Sequence, residues 1–341
     1  MPSKSLTKTS IALLKSVVLA TLGLSASAPQ AQAWPTAKDR IEFMVPFNTG
    51  GSADRMARML AVRLSKELSG VPINVTNRPG ASGATGATFF AKQQSCDGSK
   101  FMVMQATPFL ANAILTGTAP VKWEDFHVIN TQWIDYAIIA VNKDSRFKTF
   151  DELLSAIESK KGAVSSATMS GSGSFMQQLA LLEIMGLPLD QVRFVRYDGG
   201  APVRTSVAGG QTDFTFVAAT GSESIRDRIR SIGVVNDRPV TEWEGPLLNE
   251  VLKRRYNKEL PIFSSYTTSV FTLPCFAKQQ PERYQTFVAA YEKVMRDPEF
   301  VKELKEKGVG ALWIGPEESR KLTTSGYEGL SKYTRLLNAY K

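Results

Sequence analysis

The stretch 41–45 (IEFMV) followed by 46–63 (PFNTGGSADRMARMLAVR) decides the fold. Its first five residues form an apolar run of strand length. Asn48-Thr49-Gly50-Gly51-Ser52 then makes a turn without a bulky side chain, and Met56, Met59, Leu60 and Leu64 recur at helical spacing. Strand, small-residue turn and helix bring unpaired N–H groups and the positive end of a helix dipole to one point. That is a general anion site, and Gly50 and Gly51 let a ligand approach the backbone closely. Neither the Gly-Lys-Ser/Thr of a P-loop nor the spacing of the dinucleotide fingerprint is present. Many βα turns carry glycine with no ligand at all, so this stretch alone leaves both readings open. Asp54 reads as a helix-start residue that favours the dipole and supports the loop, because it would repel an anion directly.

Upstream, Lys4, Lys8 and Lys15 precede the first acidic residue, Asp39. An apolar run at 16–24 leads to the small residues Ala31-Gln32-Ala33. Residues 1–33 are therefore expected to be a signal peptide, and the chain is expected in the periplasm. The apolar run is too short for a permanent anchor and no other stretch reaches membrane length, so no stable membrane insertion is expected. The 341 residues hold 41 Lys+Arg and 32 Asp+Glu; without the three leading lysines the balance is 38 to 32, a net of +6. The basic clusters at 253–255 and 302–307 read as solvated helix faces. No aromatic-interleaved basic stripe occurs, so nucleic acid is not an expected partner. Roughly 300 mature residues exceed one core and point to two lobes. One histidine, His127, and two cysteines leave little material for a zinc site or a His-based triad, and no Gly-x-Ser-x-Gly elbow is present. Neither a metal, a cofactor nor a catalytic residue is expected. His127 reads as a strand-edge residue, and Cys96 and Cys275 could pair or remain buried thiols.

Downstream, 71–75 reads as a strand running into the turn Asn77-Arg78-Pro79-Gly80-Ala81-Ser82-Gly83, with a helix over 84–92. A strand at 101–104 ends in Gln105-Ala106-Thr107-Pro108. Such alternation predicts a mainly parallel α/β sheet, with ligands beyond the carboxyl ends of its strands. Apolar runs follow at 126–130 and 134–141, and Thr149 with Glu152 forms a capping box for a helix to about residue 159. A strand at 163–169, the turn Ser170-Gly171-Ser172-Gly173-Ser174 and a helix over 175–185 repeat the opening plan in different residues. Two such helix starts facing one cleft would suit a ligand with a carboxylate at each end, or a carboxylate and another polar group. Further strands are read at 192–197, 214–217, 268–273 and 311–314. Helices are read after Asp198-Gly199-Gly200-Ala201-Pro202, from Ser222, over 281–307 with a break at Asp297-Pro298, and over 316–337.

With these residues in place, the chain resembles the periplasmic solute receptors of tripartite tricarboxylate transporters, the TctC or Bug family. Five motifs carry the resemblance in family order. They are Pro46-Phe47 with Gly50-Gly51, Asp54 and Ala57-Arg58; Asn77-Arg78-Pro79-Gly80; Asp97-Gly98; Tyr197 before Gly199-Gly200-Ala201-Pro202; and Gly209-Gly210-Gln211 with Asp213. The resemblance implies a two-lobed, type II periplasmic-binding-protein (Venus-flytrap) fold. Lobe 1 would take 34–139 and 269–341, and 140–268 would be inserted as lobe 2. It also implies ligand contacts from Phe47, Asn48, Thr49, Gly50, Gly51 and Ser52 at one end, largely through backbone N–H groups. At the other end stand Ser170, Gly171, Ser172, Gly173 and Ser174, with Tyr197 and Gly199 as walls; Thr107 and Val217 complete the set, and Asn77 and Arg78 join Asp54 in supporting the first loop. Three positions depart from the family pattern: Asp198 stands where many members have Lys, Phe216-Val217-Ala218 where many have Phe-Asp-Asn, and Gln177 or Gln178 in place of the usual His. The missing acid at Val217 argues against a bound amino group. Trp133, Phe109 and Phe175 read as apolar wall or as lobe core. A dicarboxylate and a carboxylate with an apolar or aromatic body both remain open. The implied function is capture of a small organic acid and its delivery, by a monomer, to the membrane subunits of a transporter. A ligand-loaded sensor docking a membrane signalling protein, and an exported enzyme acting on an organic acid, are the alternatives.

Overall fold

The computed structural model describes residues 34–36, 38–93, 95–169, 172–197, 199–260 and 266–340. The expected leader, 1–33, lies outside the described residues. In chain order the elements are β1 (Ile41–Val45), α1 (Ser52–Glu67), β2 (Ile73–Asn77), α2 (Ala84–Lys92), β3 (Lys100–Thr107), α3 (Phe109–Leu115) and β4 (His127–Asp135). Then come β5 (Ala137–Asn142), α4 (Phe150–Ser159), β6 (Ser165–Met169), α5 (Gly173–Ile184), β7 (Arg193–Tyr197), α6 (Gly200–Ala208), β8 (Phe214–Ala218), β9 (Ile229–Val235) and α7 (Leu248–Tyr256). The chain closes with β10 (Tyr266–Thr272), α8 (Pro274–Gln279), α9 (Pro281–Arg296), α10 (Pro298–Glu306), α11 (Pro316–Ser331) and α12 (Thr334–Ala339).

Two five-stranded sheets result, ordered β2-β1-β3-β10-β4 and β7-β6-β8-β5-β9. In the first, β1 runs parallel to β2 and β3, with Phe43 opposite Val75 and Phe101, while β10 is antiparallel to both β3 and β4. In the second, β7, β6 and β8 are parallel and β5 opposes both β8 and β9. Each sheet is thus mainly parallel, as the strand–helix alternation predicts, with one opposed strand, β10 in the first and β5 in the second. The cause is topological. A strand returned by a crossover helix comes back parallel, whereas β5 and β10 each arrive from the other sheet and enter from the opposite end.

The chain leaves the first sheet at Tyr136, because the apolar run 134–141 is split there between β4 and β5, and the Tyr136 N–H donates to Asp135 Oδ1 (2.9 Å) instead of to a ladder. The returning strand starts at Tyr266. Helix α12 does not stay with the first sheet: Leu336 is buried in the second apolar core, and Tyr340 meets Phe175 of α5 edge-on at 5.3 Å.

One core lies under the first sheet, where Met56, Leu60 and Leu64 of α1 meet Phe43, Phe101, Phe287 and Tyr291. Phe101 stacks on Phe287 at 4.0 Å; burying a side chain of this size contributes about 1.5–3 kcal/mol. The second core joins Phe150, Leu153 and Ile157 of α4 to Leu179, Phe214 and Phe216. A third cluster draws on both sheets, with Met104, Ala106 and Phe109 packed together with Ile138, Val203 and Val217. The α4 start follows its capping box: Thr149 Oγ1 accepts from the Glu152 N–H, and Glu152 Oε2 accepts from the Thr149 N–H. Cys96 and Cys275 form a disulfide that ties the loop before β3 to α8.

Segment 311–315 is not a strand. Leu312 N–H donates to the Gln132 carbonyl, but the Asn130 side chain takes the Leu312 carbonyl and the Ile314 N–H, so no ladder forms. The region from Ser222 is a run of tight 3₁₀ turns broken at Ile225 rather than a helix. Trp133 belongs to the first core and Phe175 to the second, so neither walls a cleft; Phe109 sits between the sheets, 5.5 Å from Phe47 and 6.5 Å from Tyr266.

Candidate functional site

Strand β1 delivers the chain to residues 48–51, all exposed, and α1 begins behind them. The helix cap is Gly51, and no side chain closes it. The first-turn N–H groups of this 16-residue helix are therefore left to partners from outside, at the positive end of its dipole. Gly50 holds a φ of +82°, where a side chain would be strained. The loop is braced from behind. Asp54, 3% exposed, accepts the Gly50 N–H (2.9 Å), both Arg58 Nε and Nη2, and Asn77 Nδ2 (2.9 Å). Asn77 Nδ2 also donates to the Phe47 carbonyl (3.0 Å). Burial works to push the Asp54 carboxyl up, but Arg58, the Gly50 N–H and Asn77 outweigh it and hold the group below the usual carboxylate range. Arg58 is the arginine of this network because it lies one helical turn after Asp54. Arg78 is not: its guanidinium covers the Phe89 ring at 3.5 Å, and its N–H serves the Val45 carbonyl.

Gln105, near the carboxyl end of β3, was visible in the sequence only as part of a strand end. It is 8% exposed, and its Nε2 donates to Ser52 Oγ (3.2 Å) at the start of α1. Its Oε1 has no partner among the described residues. Turning the amide over would exchange which polar atom is left over, not remove the surplus. A buried amide with one unused polar atom therefore stands beside the open helix end.

The second helix start differs from the first. Ser170 and Gly171 lie outside the described residues. Ser172 caps α5 itself, its Oγ accepting the Phe175 N–H (3.1 Å) and sharing a hydrogen bond with Ser174 Oγ (2.9 Å). Both serines are buried. This helix start therefore has a side-chain cap, which α1 lacks. Gln178 is also spent internally, on Ser166 Oγ and the Ser174 carbonyl. Gly173 has a steric reason to lack a side chain: a Cβ there would stand 2.2 Å from Pro108 Cβ. Tyr197 turns its hydroxyl to Ser206 Oγ (2.9 Å) within its own lobe, and Val217 is buried in the shared apolar cluster. Gly199 caps α6 with no side-chain bond.

Thr107, Pro108, Ala137, Gly173, Ser174, Gln177, Val235 and Tyr266 together line a cavity of about 20 Å³ where the sheets meet. That volume admits one water and no organic acid. The Tyr266 hydroxyl bonds Ser174, and burial pushes it up to about 12. Thr107 shares a hydroxyl–hydroxyl bond with Thr267 (2.7 Å). Asp135, 5% exposed at the crossing, accepts N–H bonds from Tyr136 and Thr220; burial raises its carboxyl to about 6, and those bonds pull it partly back. Toward α1, Arg55 donates to the Lys307 carbonyl (3.3 Å), and a Cβ on Gly308 would lie 3.9 Å from Thr220 Cγ2 in the second lobe. The charge of Arg55 reaches Arg204 on α6, whose own guanidinium burial disfavours. Sequence reading passed over Arg204 and Tyr266. A cation in the second turn after Gly199-Gly200 opposes the helix dipole, and that mismatch was the available signal. His127 lies away from this hollow, its Nε2 bonded to Tyr284 Oη at 2.9 Å. Among the described residues, no three of His, Cys, Asp and Glu gather as a metal site, and no helix is long and apolar enough to cross a membrane.

No family model matches the chain. It is 26% identical over 334 residues to the UPF0065 protein in the tcbD-tcbE intergenic region of Pseudomonas sp. (strain P51), covering 96% of this chain and 94% of that one. It is 28% identical over 196 residues to protein BugT of Bordetella pertussis, covering 57% and 58% of the two chains. Among solved structures it is similar to R. palustris Rpa4515 with adipate (TM-score 0.72, 19% identity, 90% of this chain and 99% of that one). It is also similar to MatC (Rpa3494) from Rhodopseudomonas palustris with bound malate (TM-score 0.69, 20% identity, 89% and 100%). A third similar structure is a TctC solute binding protein from Polaromonas (TM-score 0.65, 21% identity, 90% and 100%). The chain is therefore a homologue of the UPF0065 and Bug proteins and has the two-lobed fold of the TctC periplasmic binding proteins.

Proposed function

We propose that this protein is a periplasmic receptor that captures a small organic acid between its lobes and hands it to the membrane subunits of a tripartite tricarboxylate-type transporter. The observation that carries the reading is the uncapped start of α1, exposed at residues 48–51 and braced by Asp54, Arg58 and Asn77. A carboxylate resting on those N–H groups would gain charge-assisted hydrogen bonds and the helix dipole together. Several such bonds support roughly micromolar affinity, about −8 kcal/mol. The Cys96–Cys275 disulfide suits an oxidising compartment. Two structural neighbours, one with adipate and one with bound malate, support an organic acid as the ligand.

In this reading the two sheets are lobes that pivot about the crossings at Tyr136 and before Tyr266. The first lobe holds β1–β4, α1–α3, β10 and α8–α11, and α12 rides on the second. Because the cavity at their junction has room for no more than a water, an acid enters when the lobes part. The protein acts as a monomer, binds without a cofactor and leaves its cargo unchanged. A thermal-shift screen of organic acids, followed by incubation and mass analysis, tests this. A receptor is stabilised by its acid and returns it intact; formation of a new compound, or no stabilisation by any acid, overturns the reading.

A further inference from the structure

Arg204 has no use in the fold that the structure accounts for. Its Nη1 lies 3.1 Å from where a Cβ would stand on Gly200 and 3.2 Å from one on Gly221. The guanidinium therefore occupies a slot between the first turn of α6 and the turn after β8, open to it because both walls are glycine. It is half-buried, and among the described residues it is in no ion pair and no hydrogen bond. Asp135 attracts it only from beyond pairing distance, with its oxygens engaged by the Tyr136 and Thr220 N–H groups. Arg55, from α1 in the first lobe, repels it. The slot thus has two positive charges within reach of each other, from opposite lobes, and among the described residues no negative charge in contact.

A half-buried guanidinium with five N–H donors and no acceptor among the described residues is costly unless something supplies one. Beside it, the nine-residue helix α6 begins at Gly199 without a side-chain cap, which adds to the positive field. Arg55 itself lies one helical turn after Gly51, so the uncapped start of α1, suited to one carboxylate, stands on the first-lobe side of the same pair of charges. We propose that Arg204 is the specificity-determining residue of the site: its guanidinium takes a second anionic group of the ligand, so the protein selects organic dianions over monoanions of equal length. This rests on the receptor reading above, and it narrows the dicarboxylate and the apolar carboxylate to the first. A planar fork fits a carboxylate with two parallel bonds.

Calorimetric titrations with malate and adipate, and with hexanoate as the monoanion of adipate's length, test it on the full chain. The wild type binds at least one dicarboxylate at least about 10-fold more tightly than hexanoate. Arg204→Met loses roughly 10- to 100-fold for that dicarboxylate and nothing for hexanoate, while Arg204→Lys, which keeps the charge and loses the fork, falls between. Circular-dichroism melts show all variants folded. An Arg204→Met protein that keeps the wild-type preference, or a wild type that binds hexanoate as well as the dicarboxylates, overturns the assignment while leaving the receptor reading intact. If both variants fail to fold, Arg204 is a structural residue and the assignment is wrong. A wild type that binds no organic acid removes the receptor reading and this one with it.

Discussion

Replacing Gly173 with alanine should separate folding from closure. The added Cβ would stand 2.2 Å from Pro108 Cβ and 3.0 Å from its Cγ. Carbon atoms pack at about 3.5–4.0 Å, so roughly 1.5 Å must be found. In a rigid core such overpacking costs about 1–3 kcal/mol of stability. Here the two atoms belong to different lobes, and they line the same cavity as Ala137 and Tyr266, the first residues of the two crossing strands. The wedge therefore sits near the pivot, and a small displacement there grows toward the mouth of the cleft. The strain is relieved in the open protein and returns on closure. Ligand affinity should fall by about 1–3 kcal/mol, roughly 5- to 150-fold, while the melting temperature of the ligand-free protein drops by no more than about 3 °C. Differential scanning calorimetry with and without a bound dicarboxylate reads both quantities. If Gly173→Ala instead loses stability and binds as the wild type does, the junction is one rigid block and the pivot is misplaced.

Gly51→Val should leave the fold intact, because φ is −72° and a Cβ meets only the Asn48 carbonyl at 3.6 Å; binding should fall more than about 10-fold by shielding N–H donors, and unchanged affinity in titration would contradict the first anchor. Asp54→Ala should cost about 2–3 kcal/mol in urea unfolding by removing the charged acceptor shared by the Gly50 N–H, Arg58 and Asn77. The Asp54 carboxyl is held below its unfolded range, so its stabilisation is present above about pH 4 and is lost as pH falls through the folded value; a variant with wild-type acid sensitivity would refute this. Asp135 runs the other way. With its folded pKa raised to about 6, the protein is penalised as pH rises from about 4 through 6, so stability falls between pH 5 and pH 8 by on the order of 1 kcal/mol. Asp135→Asn should remove that slope, and an unaltered slope in denaturation at the two pH values would show the group is not buried as a charge. The Cys96→Ser, Cys275→Ser double variant should lose about 3–5 kcal/mol, given a sequence separation of 179 residues; equal unfolding midpoints would mean the bridge constrains nothing.

Much of the fold was legible because its signals are local. The capping box at Thr149 and Glu152 and the apolar spacing of α1 each specify an element from a few neighbouring residues. What was missed depends on residues far apart in the chain. The antiparallel entry of β5 and β10 follows from the chain passing between sheets, which no window of sequence records. The 311–315 segment has the apolar look of a strand, but the Asn130 side chain takes its backbone groups. Helix α12 has an amphipathic pattern that fits either lobe; contact with Phe175 decides. The candidate site divides in the same way. The Gly-Gly turn before α1 announces itself in sequence, and so does Asp54 as its brace. The Ser/Gly turn before α5 looks alike on paper, yet Ser172 and Ser174 are buried and bonded to each other. Arg58 was inseparable from Arg78 until the helical turn placed it on Asp54. Arg204 and Gln105 become conspicuous only through what does not contact them.

The central claim is that two lobes converge on one organic anion and do no chemistry on it. A crystal structure of the protein with a bound dicarboxylate tests this most directly. It should show one carboxylate on the N–H groups of Gly51 and Ser52, the other on Arg204, and the carbon skeleton intact between them. A dicarboxylate found outside that hollow, or a chemically altered one within it, would contradict the account.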